Sequence, residues 1–301
     1  MINQILVPLD GSALAEEAIP AAVELAKTLK AGVTLIHVIE KRPPSNIHGQ
    51  THLQSEAEAS LYLERIAGLF FSQISSVQTH VHPEPVDKVA ESITNHILEY
   101  DTDLLVMCTH GNGGLRDMLY GSIAQQIIAN KKIPVLIIHP QGSGINQEIH
   151  FKNILIPVDG NPEHEQGFVY AVDFARAMAA SLNLLLVVPT YGDLSGEQAA
   201  LGTLLPLSVS FMLDELETAA ETYLSDHIDQ LCNQNIDGVG EIRRGDPVDE
   251  IVRYTQTHSF DMVVVGTHGK SGADAFWAGS KAAKIISRIK SSVLVVPVIQ
   301  K

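Results

Sequence analysis

Residues Val263–Ser280 read VVVGTHGKSGADAFWAGS and residues Leu105–Ser122 read LVMCTHGNGGLRDMLYGS. In each, an apolar run ends in Thr-His-Gly, nine residues follow, and Gly-Ser then precedes a segment with helical spacing. Self-similarity of this kind is sought before any motif, because a missed repeat misassigns the whole fold. The similarity extends outward from both stretches. NQILVPLDGS (Asn3–Ser12) matches KNILIPVDGN (Lys152–Asn161), AGVTLIHVIE (Ala31–Glu40) matches ASLNLLLVVP (Ala180–Pro189), and PVDKVAESI (Pro85–Ile93) matches PVDEIVRYT (Pro247–Thr255). The chain of 301 residues is therefore a tandem duplication of units of ordinary domain size. Pro, Gly and Ser cluster in HPQGSGINQEIHF, between the last apolar run of one copy and the first of the next. Domains are expected at residues 1–144 and 145–301.

Within copy one the short apolar runs are Ile5–Leu9, Val33–Ile39, Val77–His82, Leu104–Cys108 and Val135–Ile138. They are too uniformly apolar for half-exposed strands and suit a parallel sheet covered on both faces. Between them lie amphipathic helical periods such as Ile19, Ala22, Val23, Ala26, Leu29, and in copy two Leu213, Leu216, Ala220, Leu224, Ile228, Leu231. Strands alternating with helices give an α/β protein, here two tandem doubly wound parallel sheets of five strands each. Such sheets bind ligands beyond the carboxyl ends of their strands, where the winding reverses. Asp10 and Asp159 end their first strands and the Thr-His-Gly turns end their fourth. The repeated motifs thus converge on one cleft per copy.

Gly266 and Gly269 flank Thr267-His268, and glycines there let main-chain N–H groups approach a ligand without a Cβ in the way. Ser280 stands at the expected start of the helix KAAKIISRI, whose free N–H groups favour an anion. Together the two ends could hold a polyphosphate. Glycines after a strand also serve simply as turn formers, and Ser at a helix start simply as a cap, so the pattern by itself leaves both readings open.

The balance of 20 Lys+Arg against 35 Asp+Glu, a formal charge of -15, argues against nucleic acid and anionic membrane as partners. Cys108 and Cys232 stand apart, without CxxC or Cys/His spacing. The N-terminus MINQILVPLD has no basic leader and no long apolar run, so a cytoplasmic location is expected. No metal site is expected: His110 and His268 have neither a carboxylate nor a second His at ligand spacing nearby. There is no Walker A sequence and no Ser-His-Asp or paired-carboxylate arrangement, so the motifs offer binding elements and at most slow ATP hydrolysis.

GxxG, nine residues and Gly-Ser, with an Asp after ILxPxD, resembles the universal stress protein family in its nucleotide-binding branch, over nearly all of both copies. The resemblance implies an adenine nucleotide alpha hydrolase-like fold with strand order 3-2-1-4-5 in each copy. It also implies antiparallel pairing of the last strands into an intrachain pseudo-dimer, and a further homodimer through outer helices. The ligand it implies is ATP, ADP or AMP, with Mg²⁺ riding on the phosphates. Carried over in copy two, Pro157, Val158 and Asp159 lie at the adenosine end, the backbone of Val187 meets adenine, and Val265 and Gly266 close the ribose side. His268, Gly269, Gly279, Ser280 and Lys281 form the phosphate loop. In copy one Pro8, Leu9, Asp10, Val38, Met107, His110, Gly111, Gly121, Ser122 and Ile123 occupy matching positions. There Cys108 replaces the first Gly, where its side chain crowds the ribose or needs a φ that only Gly adopts freely, and HPEP replaces RGDP. Two other functions remain: a nucleotide-free interaction module built on the pseudo-dimer, and an enzyme acting on small nucleotides, for which no acid-base pair is visible.

Overall fold

The computed structural model describes residues 2–43, 46–47, 50–51, 53–108, 122–130, 132–139, 145, 148–161, 164–194, 196, 200, 204–267 and 280–297. The first half runs β1 (Gln4–Pro8), α1 (Ala13–Glu16), α2 (Ile19–Leu29), β2 (Gly32–Glu40), the short antiparallel pair β3 (Asn46–Ile47) and β4 (Gln50–Thr51), and α3 (Glu56–Phe70). It continues with β5 (Val77–Val86), α4 (Val89–Glu99), β6 (Leu104–Cys108), α5 (Ser122–Ala129) and β7 (Val135–Ile138). The second half runs β8 (Asn153–Val158), α6 (Gln166–Met178), β9 (Ser181–Val188), a 3-10 turn at Tyr191–Asp193 and α7 (Pro206–Asn233). It ends with β10 (Gly238–Arg244), α8 (Pro247–Thr257), β11 (Met262–Thr267), α9 (Lys281–Ile286) and β12 (Ser292–Pro297).

All strands except β3 and β4 form one ten-stranded sheet of order β10-β9-β8-β11-β12-β7-β6-β1-β2-β5. Counted within each half this is the expected 3-2-1-4-5, parallel throughout. The halves meet through their fifth strands, which pair antiparallel with Leu294 opposite Leu136. The intrachain pseudo-dimer is therefore built by the sheet itself. An apolar edge as exposed as VLII or SVLVVP would otherwise template unwanted pairing.

Two apolar layers cover the sheet, as the uninterrupted apolar strands require. One packs α2, α3, α6 and α7 over Ile5, Val33, Leu104, Ile154 and Leu182. The other packs α4, α5, α8 and α9 over Leu6, Leu105, Leu155 and Val263. Both layers run through both halves. Successive strand residues point to opposite faces, so Ile5 and Leu6 serve different layers.

One sequence alignment is corrected by the structure. The repeated Pro-Val-Asp suggested that Pro85 and Pro247 are equivalent, but α4 begins at Val89 and α8 at Pro247. Their buried positions then coincide, Ala90, Ser92, Ile93, Thr94, His96 with Val248, Glu250, Ile251, Val252, Tyr254. The sequence match is one helical turn out of register. In half two Gly245, at φ +146°, ends the strand by donating its N–H to Val188 O at 3.0 Å. In half one Pro83-Glu84-Pro85 has no glycine to make that turn. The strand runs on until Val86 O accepts from Lys41 N at 2.9 Å.

Candidate functional site

The first and fourth strands of each half separate as they approach their carboxyl ends. β8 and β11 pair only at Ile154↔Met262 and Leu155↔Val263, although β8 continues to Val158 and β11 to Thr267. β1 and β6 repeat this, pairing only at Ile5↔Leu104 and Leu6↔Leu105. A crevice therefore opens between strands one and four of each half, at the point where the winding reverses.

The second strand supplies one wall. The ladder between β8 and β9 ends at Val158↔Leu186, whereas β9 continues to Val188, so Val187 projects past β8 and is paired only with Arg243 on the far side. Main-chain groups on the crevice side of Val187 are thus placed to read a flat ligand edge. Val38 occupies the same position in half one, beyond the last pair Pro8↔Ile36.

The floor is an Asp-Gly turn in each half. Asp10 Oδ1 accepts from Ser12 N at 2.9 Å and Asp159 Oδ1 from Asn161 N at 3.1 Å. The intervening glycines adopt φ +86° (Gly11) and +74° (Gly160), a region costly for residues bearing a Cβ. The other carboxylate oxygen of Asp159 accepts from His164 Nδ1 at 2.5 Å. The strand-end carboxylates are thus oriented before any ligand arrives.

Of the remaining positions, Pro157, Val158 and Gly266 are half-buried, Val265 is buried, and in half one Leu9, Val38 and Met107 are buried beside half-buried Pro8, Asp10 and Ile123. Ser280 caps α9, its Oγ accepting from Ala283 N at 3.0 Å, which leaves the hydroxyl hydrogen able to donate. Lys281 is exposed at the first helical position, and Ser122 opens α5 in half one. His110, Gly111, Gly121, His268, Gly269 and Gly279 lie outside the described residues.

The alternative that Cys108 stands where only glycine's φ is accessible does not apply. Cys108 pairs with Ile138 and Gly266 with Val296, both in regular strand. The two differ in side-chain bulk, not backbone. A second difference between the clefts comes from Leu53, which lies over the turn of half one: a Cβ on Gly11 would meet its Cδ1 and Cγ at 2.9 Å. Among the described residues, a Cβ on Gly160 would meet Leu186 Cδ1 alone, at 3.7 Å.

Sequence reading missed two features. Tyr62 on α3 and Tyr223 on α7 repeat beside the clefts. Burial raises both hydroxyls well above the usual tyrosine range, and Glu16 with Asp10, or Glu165 with Asp159, push them further. Each is a neutral donor at any physiological pH. The other feature is a histidine cluster away from the His110 and His268 turns on which the sequence reading rested. His80 and His82 on β5 and His96 on α4 bring one ring nitrogen each to within 4.8 Å of one another. The signal was the His-x-His spacing, which puts both rings on one face of a strand; the third histidine comes from a different element.

A tandem pair of doubly wound α/β units, each with a switch-point crevice floored by an Asp-Gly turn, defines the class of protein. The model of the Universal stress protein family matches residues 1–139 and 150–297, and the chain belongs to that family. A universal stress protein of Mycolicibacterium smegmatis is 23% identical over 301 residues, covering 97% of this chain and 96% of the relative. Universal stress protein MJ0531 of Methanocaldococcus jannaschii is 30% identical over 144 residues, 46% of this chain and 82% of its own. The crystal structure of PA1789 from Pseudomonas aeruginosa, a protein described as functionally unknown, shares the fold with a TM-score of 0.71 at 18% identity, covering 98% of this chain and 92% of that one. Among the described residues no helix is long and apolar enough to cross a membrane.

Proposed function

We propose that the chain is an adenine-nucleotide-binding stress-response protein, with its competent site in the second half, whose bound nucleotide sets conformation or partner choice rather than undergoing rapid turnover. The observation that carries this reading is the parting of β8 from β11 with Val187 projecting beyond its partner strand. That geometry leaves a main-chain edge beside an open crevice, which suits a purine. Asp159, already oriented by Asn161 N–H and His164, suits ribose hydroxyls at the same end. The phosphates would extend toward the Ser280 hydroxyl and Lys281. The residues fit such a ligand. A Mg²⁺ on the phosphates would neutralise their charge and needs no protein cage. Nothing in the described cleft pairs a general base with a site for an attacking water, so hydrolysis is at most slow.

Half one is the weaker site, because Cys108 adds bulk where Gly266 has none and Leu53 covers its Asp-Gly turn. This difference favours a second role for that half as interaction surface within the same chain. The test is to purify the protein without added nucleotide, denature it, and identify and count what is released by chromatography and mass. Near-equimolar ATP or ADP, lost in Asp159→Ala and in Gly269→Val but retained in Asp10→Ala, supports one competent site in half two. No released nucleotide and no binding of added Mg-ATP overturns the proposal in favour of a nucleotide-free interaction module.

A further inference from the structure

The three histidines lie away from both crevice floors, where α4 packs on β5, the outermost strand of half one. His80 and His82 face α4 across from Ile36 and Val38. His96 comes down from α4 with its ring buried. Its Nδ1 is 2.6 Å from Glu99 Oε2. A carboxylate only accepts, so Nδ1 carries the proton and Nε2 presents a bare lone pair. That Nε2 lies 3.1 Å from His82 Nδ1. His80 Nε2 is buried and has no hydrogen-bond partner among the described residues. An orphaned buried ring nitrogen is costly and calls for an explanation.

The second half shows what the same place holds when it is filled by protein. The strand registers make Glu241 and Arg243 the equivalents of His80 and His82, since Ile36↔His80 corresponds to Leu185↔Glu241. The matched burial of α4 and α8 makes Tyr254 the equivalent of His96. There Arg243 pairs with Glu241 at 3.0 Å and lies over the Tyr254 ring at 5.3 Å, so a guanidinium cation joins strand to helix. In half one, among the described residues, three imidazoles converge at that place instead of a guanidinium.

We infer that His80, His82 and His96 form a binding site for a transition-metal dication of the zinc type, with Glu99 orienting His96 and a water in the fourth position. The donor set decides the class of ion: imidazole suits Zn²⁺ and its neighbours, whereas Mg²⁺ and Ca²⁺ take oxygen. Tetrahedral Zn–N bonds of about 2.0–2.1 Å separate ligand nitrogens by about 3.3 Å. The His82–His96 separation already meets this, and His80 needs to close by at most about an ångström and a half from the 4.8 Å limit. On binding, the hydrogen shared between His82 Nδ1 and His96 Nε2 moves to the far nitrogen of His82, and both lone pairs turn to the metal. The carboxylate-histidine-metal relay through Glu99 is a common outer-shell arrangement. Bound metal would fasten the edge strand to α4 as Arg243 fastens β10 to α8.

The test uses the full chain, stripped of metal with a chelator and of nucleotide, titrated with Co²⁺. Expected is equimolar binding with the visible absorption of low-coordinate cobalt, displaced by Zn²⁺ and accompanied by a rise in melting temperature. His80→Gln, His82→Gln and His96→Gln each abolish it, Glu99→Gln weakens it about 10–100-fold, and Tyr254→Phe in half two leaves it unchanged. Absence of that absorption, or its persistence in His82→Gln, overturns the inference. Should the variants not fold, zinc-edge absorption of the loaded native chain decides: three imidazole nitrogens sustain the site and an oxygen-only shell removes it. None of these readouts requires nucleotide, so the outcome is independent of the crevice in half two.

Discussion

Asp10 and Asp159 each turn the chain out of a first strand by the same device, a side-chain oxygen bonded two residues ahead across a glycine of positive φ. The two glycines differ only in what surrounds them, which separates backbone strain from crowding. Gly160→Ala places a Cβ in ordinary contact with Leu186, so its cost is the left-handed backbone, about 1–2 kcal/mol. Gly11→Ala carries that cost and also displaces Leu53, an overpacking worth about a further 1–3 kcal/mol. Urea titrations of the two variants should therefore rank Gly11→Ala as the more destabilised; equal losses would mean that Leu53 does not press on the turn. Asp10 and Asp159 were legible as strand ends because an apolar run stops at them. The tyrosines were not, because Tyr62 and Tyr223 come from a helix that no local spacing connects to the cleft. The histidine triad was missed for the same reason, its third member lying across a strand-helix gap that only packing closes.

The two halves use different means to start the same helix. Asp246 caps α8, its Oδ1 accepting from Val248 N at 2.9 Å and Asp249 N at 3.1 Å, and Pro247 occupies the first turn, where its missing N–H costs nothing. α4 has Lys88 at its N-cap position, with no side-chain capping bond. Asp246→Ala should cost about 1 kcal/mol by chemical denaturation, whereas Lys88→Ala should cost far less, because it removes no capping bond. Equal effects would show that the cap contributes nothing to α8. Strand positions were read closely from apolar runs, since a strand buried on both faces leaves a short unbroken signal: Leu104–Cys108 and Val135–Ile138 have the expected ends. The helix register was not readable from Pro-Val-Asp. The same three residues finish a strand in one half and begin a helix in the other, and the choice rests on Gly245, for which Pro83-Glu84-Pro85 offers no glycine. The length of α7, which starts at Pro206, was also beyond the apolar period that marked only its later turns.

At the scale of the molecule the antiparallel pairing of β7 with β12 makes two repeats into one sheet, and the adjoining contacts between α2 and α6 extend the shared layer. The seam carries a titratable group. His139, just past β7, lies with Nδ1 2.9 Å from Ser291 O, just before β12, so Nδ1–H donates across the junction. Burial holds the pKa of His139 below the ordinary histidine value, an effect the Ser291 carbonyl only partly offsets. The folded chain thus resists a proton that the unfolded chain accepts near pH 6.5. Where the unfolded state binds more protons, stability rises with pH, so the seam loses stability as pH falls below about 6.5 and goes on losing it until the folded-state value is passed. His80 is lowered chiefly by burial, and next by His96, and acts with the same sign. Melting temperatures measured in chelator from pH 7.5 down to pH 5 should therefore fall. His139→Gln should flatten the part of that fall that belongs to the seam, because glutamine keeps a donor for Ser291 and does not titrate. An unchanged slope in His139→Gln would place the acid sensitivity elsewhere in the molecule and leave the junction between the halves indifferent to pH.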